Sequence, residues 1–387
     1  MVYPDKGCRP HHGEDRVHIH LAPRTIALAF ALILLQCDRE RPAIHATPPT
    51  SSAPATRAPT QAQPGQAAIA PIVAPTPPVC RRYAMPRKRG LIRSDSLDEI
   101  SGIAASHTVE DRFWVHNDSG EDKARIFAID SAGRHHVTYR LKGVEPVDTE
   151  DIAIGPCGSP PAEREKPCIY LADIGDNDHE RDWAVVYRVE EPSALVGEIS
   201  SAGQPAKGKF KKRAVARFSF RYPAVQSASA ALKRGMEHPN AEAMVVLPDA
   251  RIVILTKRAS GGAGVYRFRP DPTRTVVAEH IGDLNLRLVH ADDTTGSPAT
   301  GADLTDDGQW LVVRTYMTIY VFHVGDSLMA PAAEARQALA SAPRSVVKEG
   351  FDLQGEAICW DRKAGLWHTS ENLHPQVKVP LWRIECK

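Results

Sequence analysis

Several things are scarce in this 387-residue sequence. An excess of either charge is missing, since 48 Lys and Arg face 47 Asp and Glu for a net charge of +1. Aromatic residues make up only 6%, and no basic stripe interleaved with them occurs. Together these remove global attraction to nucleic acid as an organising force. Long apolar runs are missing too. Thr25–Cys37 (TIALAFALILLQC) is too short to cross a bilayer as a helix. Helical periodicity is confined to Ser327–Ala342 and Ser227–Met236. From residue 80 onward there is no phosphate-cradling glycine loop, no Gly-x-Ser-x-Gly elbow, no His-Glu-x-x-His pair and no zinc-type spacing of Cys or His. The common nucleotide, serine-hydrolase and zinc chemistries go with them.

What the first part of the chain does hold is a targeting pattern. Arg24 precedes the apolar run, whose length is that of a signal-peptide core, so export is predicted. "LLQC" approximates a bacterial lipoprotein signal that would lipidate Cys37. Simple secretion, an uncleaved anchor and a mis-assigned start are the alternatives. Residues 1–37 therefore read as a targeting segment. Residues 38–79, dominated from 42 by Pro, Ala, Thr, Ser and Gln, read as a disordered linker, because they hold too few large apolar groups to offset the entropy of ordering. The folded domain is expected over 80–387, in the periplasm or cell envelope, as a monomer whose membrane contact runs only through an N-terminal lipid or signal anchor.

Seven cysteines suit an exported protein. Cys8 and Cys37 fall in the targeting region. Cys157 and Cys168 bracket the insertion GSPPAEREKP, a spacing that a hairpin disulfide would close. Cys80 and Cys386 flank the domain, and joining them would stabilise it by roughly 4–5 kcal/mol in the chain-entropy model. Cys359, inside EAICW, reads as a buried thiol. The one basic run, Lys207–Arg213 (KGKFKKR), reads as a solvated loop.

A strand pair repeats along the domain. Its first member is ISGIAAS (Ile100–Ser106), TEDIAIG (Thr149–Gly155), AEAMVVL (Ala241–Leu247), GADLTDDG (Gly301–Gly308) and GEAICWD (Gly355–Asp361). Each is followed by a second apolar strand, in FWVHNDSG, IYLADIGDN, IVILTKR, WLVVRTY and LWHTSEN, and then by a third. Fourth strands are expected in HHVTYRL, RAVARFSFRY, TVVAEHIG and VVKEGFDL, with the fifth unit completed by residues after Cys80. A four-stranded unit repeated about an axis is a β-propeller. The sequence predicts an all-β, five-bladed β-propeller, with six blades as the alternative; a β-sandwich would leave the repeat unexplained.

Antiparallel pairing brings the start of each first strand and the end of each second strand to the same end of the hairpin. Acids sit at both places. Strand starts supply Glu99, Glu150, Asp151, Glu242, Asp303 and Glu356, and strand ends supply Asn117, Asp118, Asp173, Asp176, Asn177 and Glu371, together with Lys257 and Arg314. All are expected around one mouth of the central channel, where crowded carboxylates call for a cation, paired Lys or Arg, or raised pKa values. Oxygen donors suit calcium better than zinc. A structural reading stands beside this one: a buried acid in a blade commonly accepts backbone N–H bonds from the neighbouring sheet, Glu99 and Asp118 being the readiest examples.

The motifs SGI, HNDSG, TEDIA, DIGDN, AEAM, TGADL and GEAI, spread over roughly 98–386, give the chain a loose resemblance to exported bacterial β-propeller proteins of the gluconolactonase/paraoxonase-like and phytase-related esterase-like groups. The lactonase-like resemblance implies channel calcium acting as a Lewis acid on an ester carbonyl, with Glu150, Asp173, Glu242, Asp303 and Glu356 as its ligands. Asn117, Asp118, Asp151, Asp176, Asn177, Lys257, Arg314 and Glu371 are then the candidates for contact with a bound ligand. Two classes of function stay open: an envelope module binding a small-molecule or protein ligand at the mouth, and a calcium-assisted hydrolase of a small ester, lactone or phosphoester.

Overall fold

The computed structural model describes residues 80, 82–118, 124–197, 203–227, 229–258, 261–287, 298–347, 354–361, 363–371 and 378–387. The targeting segment, the linker, Cys8 and Cys37 lie outside them. None of the helices among the described residues is long and apolar enough to cross a membrane.

Five sheets make up the domain. The chain enters with β1 (Arg87–Ile92) and forms blade 1 from β2 (Ile100–Ala105), β3 (Phe113–Asn117), β4 (Arg125–Ile129) and β5 (His135–Leu141). Blade 2 starts with β6 (Thr149–Pro156), β7 (Pro167–Asp173) and β8 (Ala184–Glu190). The chain then returns to blade 1 as β9 (Ala206–Phe210), parallel to β5, before β10 (Ala216–Arg221) resumes blade 2. Blade 3 is β11 (Ala241–Val246), β12 (Ile252–Thr256), β13 (Gly262–Phe268) and β15 (Glu279–Asn285), with β14 (Val276–Val277) joining the edge of blade 2. Blade 4 is β16 (Ala299–Leu304), β17 (Trp310–Thr315), β18 (Ile319–His323) and β19 (Arg344–Val347). Blade 5 takes β20 (Gly355–Trp360), β21 (Leu366–Ser370) and β22 (Val379–Ile384) from the end of the chain and β1 from the beginning.

The protein is thus a five-bladed β-propeller whose last blade is completed by the residues after Cys80. The first strands β2, β6, β11, β16 and β20 pack against one another in a closed ring around the axis. Because these strands are buried along their length, they read as continuous apolar runs rather than alternating ones. The hydrophobic core is not one mass but five wedges, one between each pair of neighbouring blades. Disulfides join Cys80 to Cys386 and Cys157 to Cys168, while Cys359 is a buried free thiol.

The structure corrects several sequence expectations. The KGKFKKR run is no loop: its first residues form β9, whose Phe210 stacks on Tyr139 of β5. The fourth strand of blade 3 lies at Glu279–Asn285, later than TVVAEHIG suggests. That of blade 4 begins at Arg344, and much of VVKEGFDL falls outside the described residues. The run GGAG at Gly261–Gly264, which the sequence pattern makes a turn between strands, is only partly one, since β13 starts at Gly262. The first strand of blade 4 starts two residues before GADL, a shift that matters at the site.

Candidate functional site

Each inner strand carries a β-bulge near its start. The register against the second strand slips between Ile100 and Gly102, Thr149 and Asp151, Ala241 and Ala243, Ala299 and Gly301, and Gly355 and Ala357. A bulge leaves one residue outside the ladder and re-aims its side chain. Here that residue is Ser101, Glu150, Glu242, Thr300 or Glu356, all buried. Fivefold repetition puts them on one level of the channel. The two hydroxyls tie neighbouring blades: Ser101 Oγ donates to the Glu150 carbonyl at 2.7 Å and Thr300 Oγ1 to the Gly355 carbonyl at 2.6 Å. The three glutamates are left to face one another.

The residue after each bulge is crowded by the next blade, so it is small in four of five cases. At Gly301 an added Cβ would lie 2.3 Å from the Glu356 carbonyl oxygen. Asp151 is the fifth, and it uses the position differently. Its Oδ1 accepts the Ile152 N–H at 2.8 Å, and its Oδ2 accepts those of Met244 at 2.8 Å and Ala302 at 3.3 Å. One carboxylate therefore joins blades 2, 3 and 4, as the structural reading of buried acids requires.

Around the glutamates stands a second level, formed where the second strands end. Asp118, Lys257, Tyr316 and Glu371 follow β3, β12, β17 and β21 directly. Lys257 Nζ pairs with Glu242 Oε1 and lies over the Tyr316 ring, 5.3 Å from its centroid. Glu371 Oε2 accepts a hydrogen bond from Gln354 Nε2 at 2.6 Å. Arg314, fully buried, occupies the space beside Gly355 that a side chain there would need.

Burial and mutual repulsion set the protonation of this cluster. Burial holds Glu150 well above the usual carboxylate range, and Glu242, Asp118 and Asp148 push it further, against the pull of Lys257. Glu356 is raised in the same way, by burial and then by Glu242 and Glu371. Burial lifts Glu242 to about 6 despite its Lys257 partner, and lifts Glu371 to about 7 with Glu99 and Glu242 adding to it. For Lys257, burial alone would favour the neutral amine, but Glu242, Tyr316 and Glu356 outweigh it and keep the ammonium charged.

Among the described residues, Asp118, Asp148 and Glu150 offer one carboxylate oxygen each within 4.8 Å of one another. Oxygens sharing one calcium ion, each about 2.3–2.6 Å from it, lie within about 5 Å of each other, so the spacing fits. The Asp118 and Asp148 carboxyls hydrogen-bond each other, and burial raises Asp148. Such a contact needs a shared proton or a cation in its place. Gly175 makes room for it: a Cβ there would fall 2.3 Å from both Asp148 Oδ2 and Glu150 Oε1. Beside this trio, Glu242 Oε2 is buried and makes no hydrogen bond among the described residues.

The mouth therefore gathers Glu150, Glu242, Glu356, Glu371, Asp118, Lys257 and Arg314 from the sequence-predicted set. Other members are committed to protein partners. Asp303 sits three residues beyond the bulge, about 10 Å along the strand. Its oxygens accept the N–H groups of Leu304 and Trp360, both at 2.8 Å, and burial lifts its pKa to about 7. Through Trp360 it joins blades 4 and 5, as Thr300 does through Gly355, and Thr300 occupies the position aligned with the glutamates. Asp173 is filled by Arg181 at 2.9 Å and by the N–H groups of Asp148 and Val147. Asp176 caps its own loop through Glu180 N–H and Arg181 N–H, and Asn177 Oδ1 accepts from Asn240 Nδ2. Asn117 Nδ2 holds the 96–98 segment through Ser96 O and Asp98 Oδ1. Asp148 and Tyr316 were missed. Asp148 stands two residues before the bulge, where Glu99 and Gln354 stand in other blades, so extending the repeat upstream would have found it.

No protein-family model matches the chain. A search of curated proteins likewise finds no match. Among solved structures, the PQQ-bound aldose sugar dehydrogenase of Streptomyces coelicolor is 12% identical with a TM-score of 0.38, covering 80% of this chain and 100% of its own. An oxidoreductase assigned as a glucose dehydrogenase, from Thermus thermophilus, is 11% identical with a TM-score of 0.37 over 79% of this chain and 100% of its own. Likeness of that degree carries nothing about cofactor or reaction. Fold and site define a class only: a five-bladed β-propeller with a buried carboxylate cluster at one channel mouth.

Proposed function

We propose that the protein is an exported propeller module that binds a calcium ion at this mouth and, around it, a small-molecule or protein ligand. Asp118, Asp148 and Glu150 hold the ion, and Glu242 with Lys257 forms the adjoining wall. The observation that carries the reading is the convergence of three carboxylate oxygens within 4.8 Å, next to a buried glutamate oxygen that lacks a hydrogen-bond donor. A cation resolves the repulsion that otherwise forces these acids to keep protons.

The test is calorimetric titration of calcium into the full-length protein after chelator treatment. One ion should bind with a Kd on the order of 10⁻⁴ to 10⁻³ M, as in extracellular calcium modules. Asp148→Asn should abolish binding, and Glu150→Gln should weaken it while the far-ultraviolet circular dichroism stays unchanged. Absence of heat and of any shift in melting temperature at about tenfold higher calcium than that range overturns the reading.

A second reading, the calcium-assisted hydrolase of the lactonase-like resemblance, is favoured by one observation. Glu242 and Glu371, raised to about 6 and about 7, suit general acid–base work at neutral pH beside a cation. In that case the ion would polarise a carbonyl or phosphoryl oxygen. Calcium-dependent turnover of an aryl ester, a lactone or a phosphodiester, lost in Glu371→Gln, would select it over the binding module.

A further inference from the structure

The outer edge of blade 1 carries charge of one sign. In the parallel pair of β5 and β9, Thr138 lies beside Lys207 and Arg140 beside Lys209. The ladder continues as Lys142 N–H donates to the Phe210 carbonyl at 3.1 Å. Side chains alternate between the faces of a strand. One face of the pair holds Val137, Tyr139, Leu141, Ala206 and Phe210, packed in the wedge against blade 2. The other holds Arg140, Lys142, Lys207, Lys209 and Lys211, all exposed.

The charge extends inward as well. Arg125 of β4 stands opposite Arg140, so Arg125, Arg140 and Lys209 form one row across three strands, about 10 Å from end to end at ordinary sheet spacing. Like charges placed opposite one another in a sheet are destabilising. Among the described residues no carboxylate forms an ion pair with Arg140, Lys142, Lys207, Lys209 or Lys211. Protection of an open sheet edge explains lysines on the outermost strand. It does not explain Arg140 and Lys142, one strand further in, or the cost of opposing them to further cations.

We propose that this face docks on an anionic lipid bilayer, independently of the cation site. The cations are spread over a strand pair on flexible stems rather than gathered in a groove, which suits a planar field of headgroup phosphates. A nucleic acid would want an aromatic ring among them for base stacking. Phe127, the aromatic residue on this side of β4, is fully buried against the edge of His135.

The experiment compares partition of the full-length protein onto vesicles of phosphatidylcholine alone and onto vesicles in which about a third of the lipid is phosphatidylglycerol. Insertion by the N-terminal apolar run and attraction of the basic residues flanking it are common to wild type and variant, so the change in ratio between the two proteins isolates the basic face. Wild type should prefer the anionic vesicles, and the preference should vanish as salt rises from about 0.1 M to about 1 M and the screening length falls from about 10 Å to about 3 Å. Lys207→Ala/Lys209→Ala should cut the ratio by about 25-fold, about fivefold for each cation, with the melting temperature unchanged or higher. A variant that stays folded and keeps the wild-type ratio overturns the proposal. So does a wild type that binds polyphosphate or single-stranded DNA as tightly as it binds the anionic vesicles, since the face would then be a site for soluble polyanions.

Discussion

Glutamine at position 371 offers a direct measurement of the strain among the mouth acids. In the folded protein Glu371 holds its proton up to about 7, because burial and then Glu99 and Glu242 oppose ionisation. A carboxyl whose folded pKa is raised contributes stability that is fully present below the unfolded value and is lost as pH rises through the folded one. A rise from about 4.5 to about 7 is worth about 3 kcal/mol, at about 1.4 kcal/mol per unit. At about 2 °C per kcal/mol for a domain of this size, that is about 6 °C of melting temperature. Glu242, raised to about 6, acts in the same direction. In calorimetry under chelator, the wild-type melting temperature should fall between about pH 4.5 and about pH 7.5. Glu371→Gln keeps an acceptor for Gln354 Nε2 and has nothing to ionise, so its melting temperature should fall about 6 °C less over that window. Calcium should restore the wild type more at the alkaline end than at the acid end. A flat or rising wild-type profile, or a variant with the wild-type slope, refutes the account of the mouth as a set of acids kept protonated by one another.

Other outcomes follow from particular contacts. Asp151→Ala leaves the N–H groups of Ile152, Met244 and Ala302 without an acceptor, and at about 1–3 kcal/mol each the loss of about 3–9 kcal/mol should show as a large drop in the denaturant midpoint. Gly175→Ala pushes a methyl group into Asp148 and Glu150; calcium affinity should drop at least about tenfold while stability falls by about 1–3 kcal/mol. Replacing Cys80 and Cys386 by Ser should lower stability by up to about 5 kcal/mol in equilibrium unfolding, whereas opening Cys157–Cys168, with a separation of 11 residues against 306, should cost less.

The repeat was legible because every blade buries a first strand on all sides, so apolar composition survives even where the loops differ. Bulges were not legible. They depend on which N–H meets which carbonyl, and the letters on either side of Glu150 or Glu242 do not state it. Blade 4 shows the result: Asp303, an acid near the start of GADL, reads as a member of the ring, whereas the strand begins at Ala299 and its bulged residue is Thr300. β9 was hidden for a different reason. Its partner β5 lies far back in the chain and the pairing is parallel, so no local turn marked it, although the alternation Lys-Gly-Lys-Phe has the period of a strand. Asp151 and Asp173 have the right composition for a ligand but are satisfied by backbone donors and by Arg181, which only three-dimensional neighbours reveal.

Pairing β1 with β22 also fixes an order of events during synthesis. The strand that completes blade 5 emerges from the ribosome before any other described strand, yet its partner lies late in the sequence, beside a cysteine 306 residues beyond Cys80. At about 5–20 residues per second the ribosome needs about 15–60 s to cover that distance. Throughout that interval β1 is an unpaired edge, open to pairing with any other nascent chain. Its first residues, Arg87, Lys88 and Arg89, remain exposed even in the finished molecule. Three adjacent cations on a waiting strand repel a second copy of the same strand, so the charge at the start of β1 guards a ring that cannot be closed until its last blade has been translated.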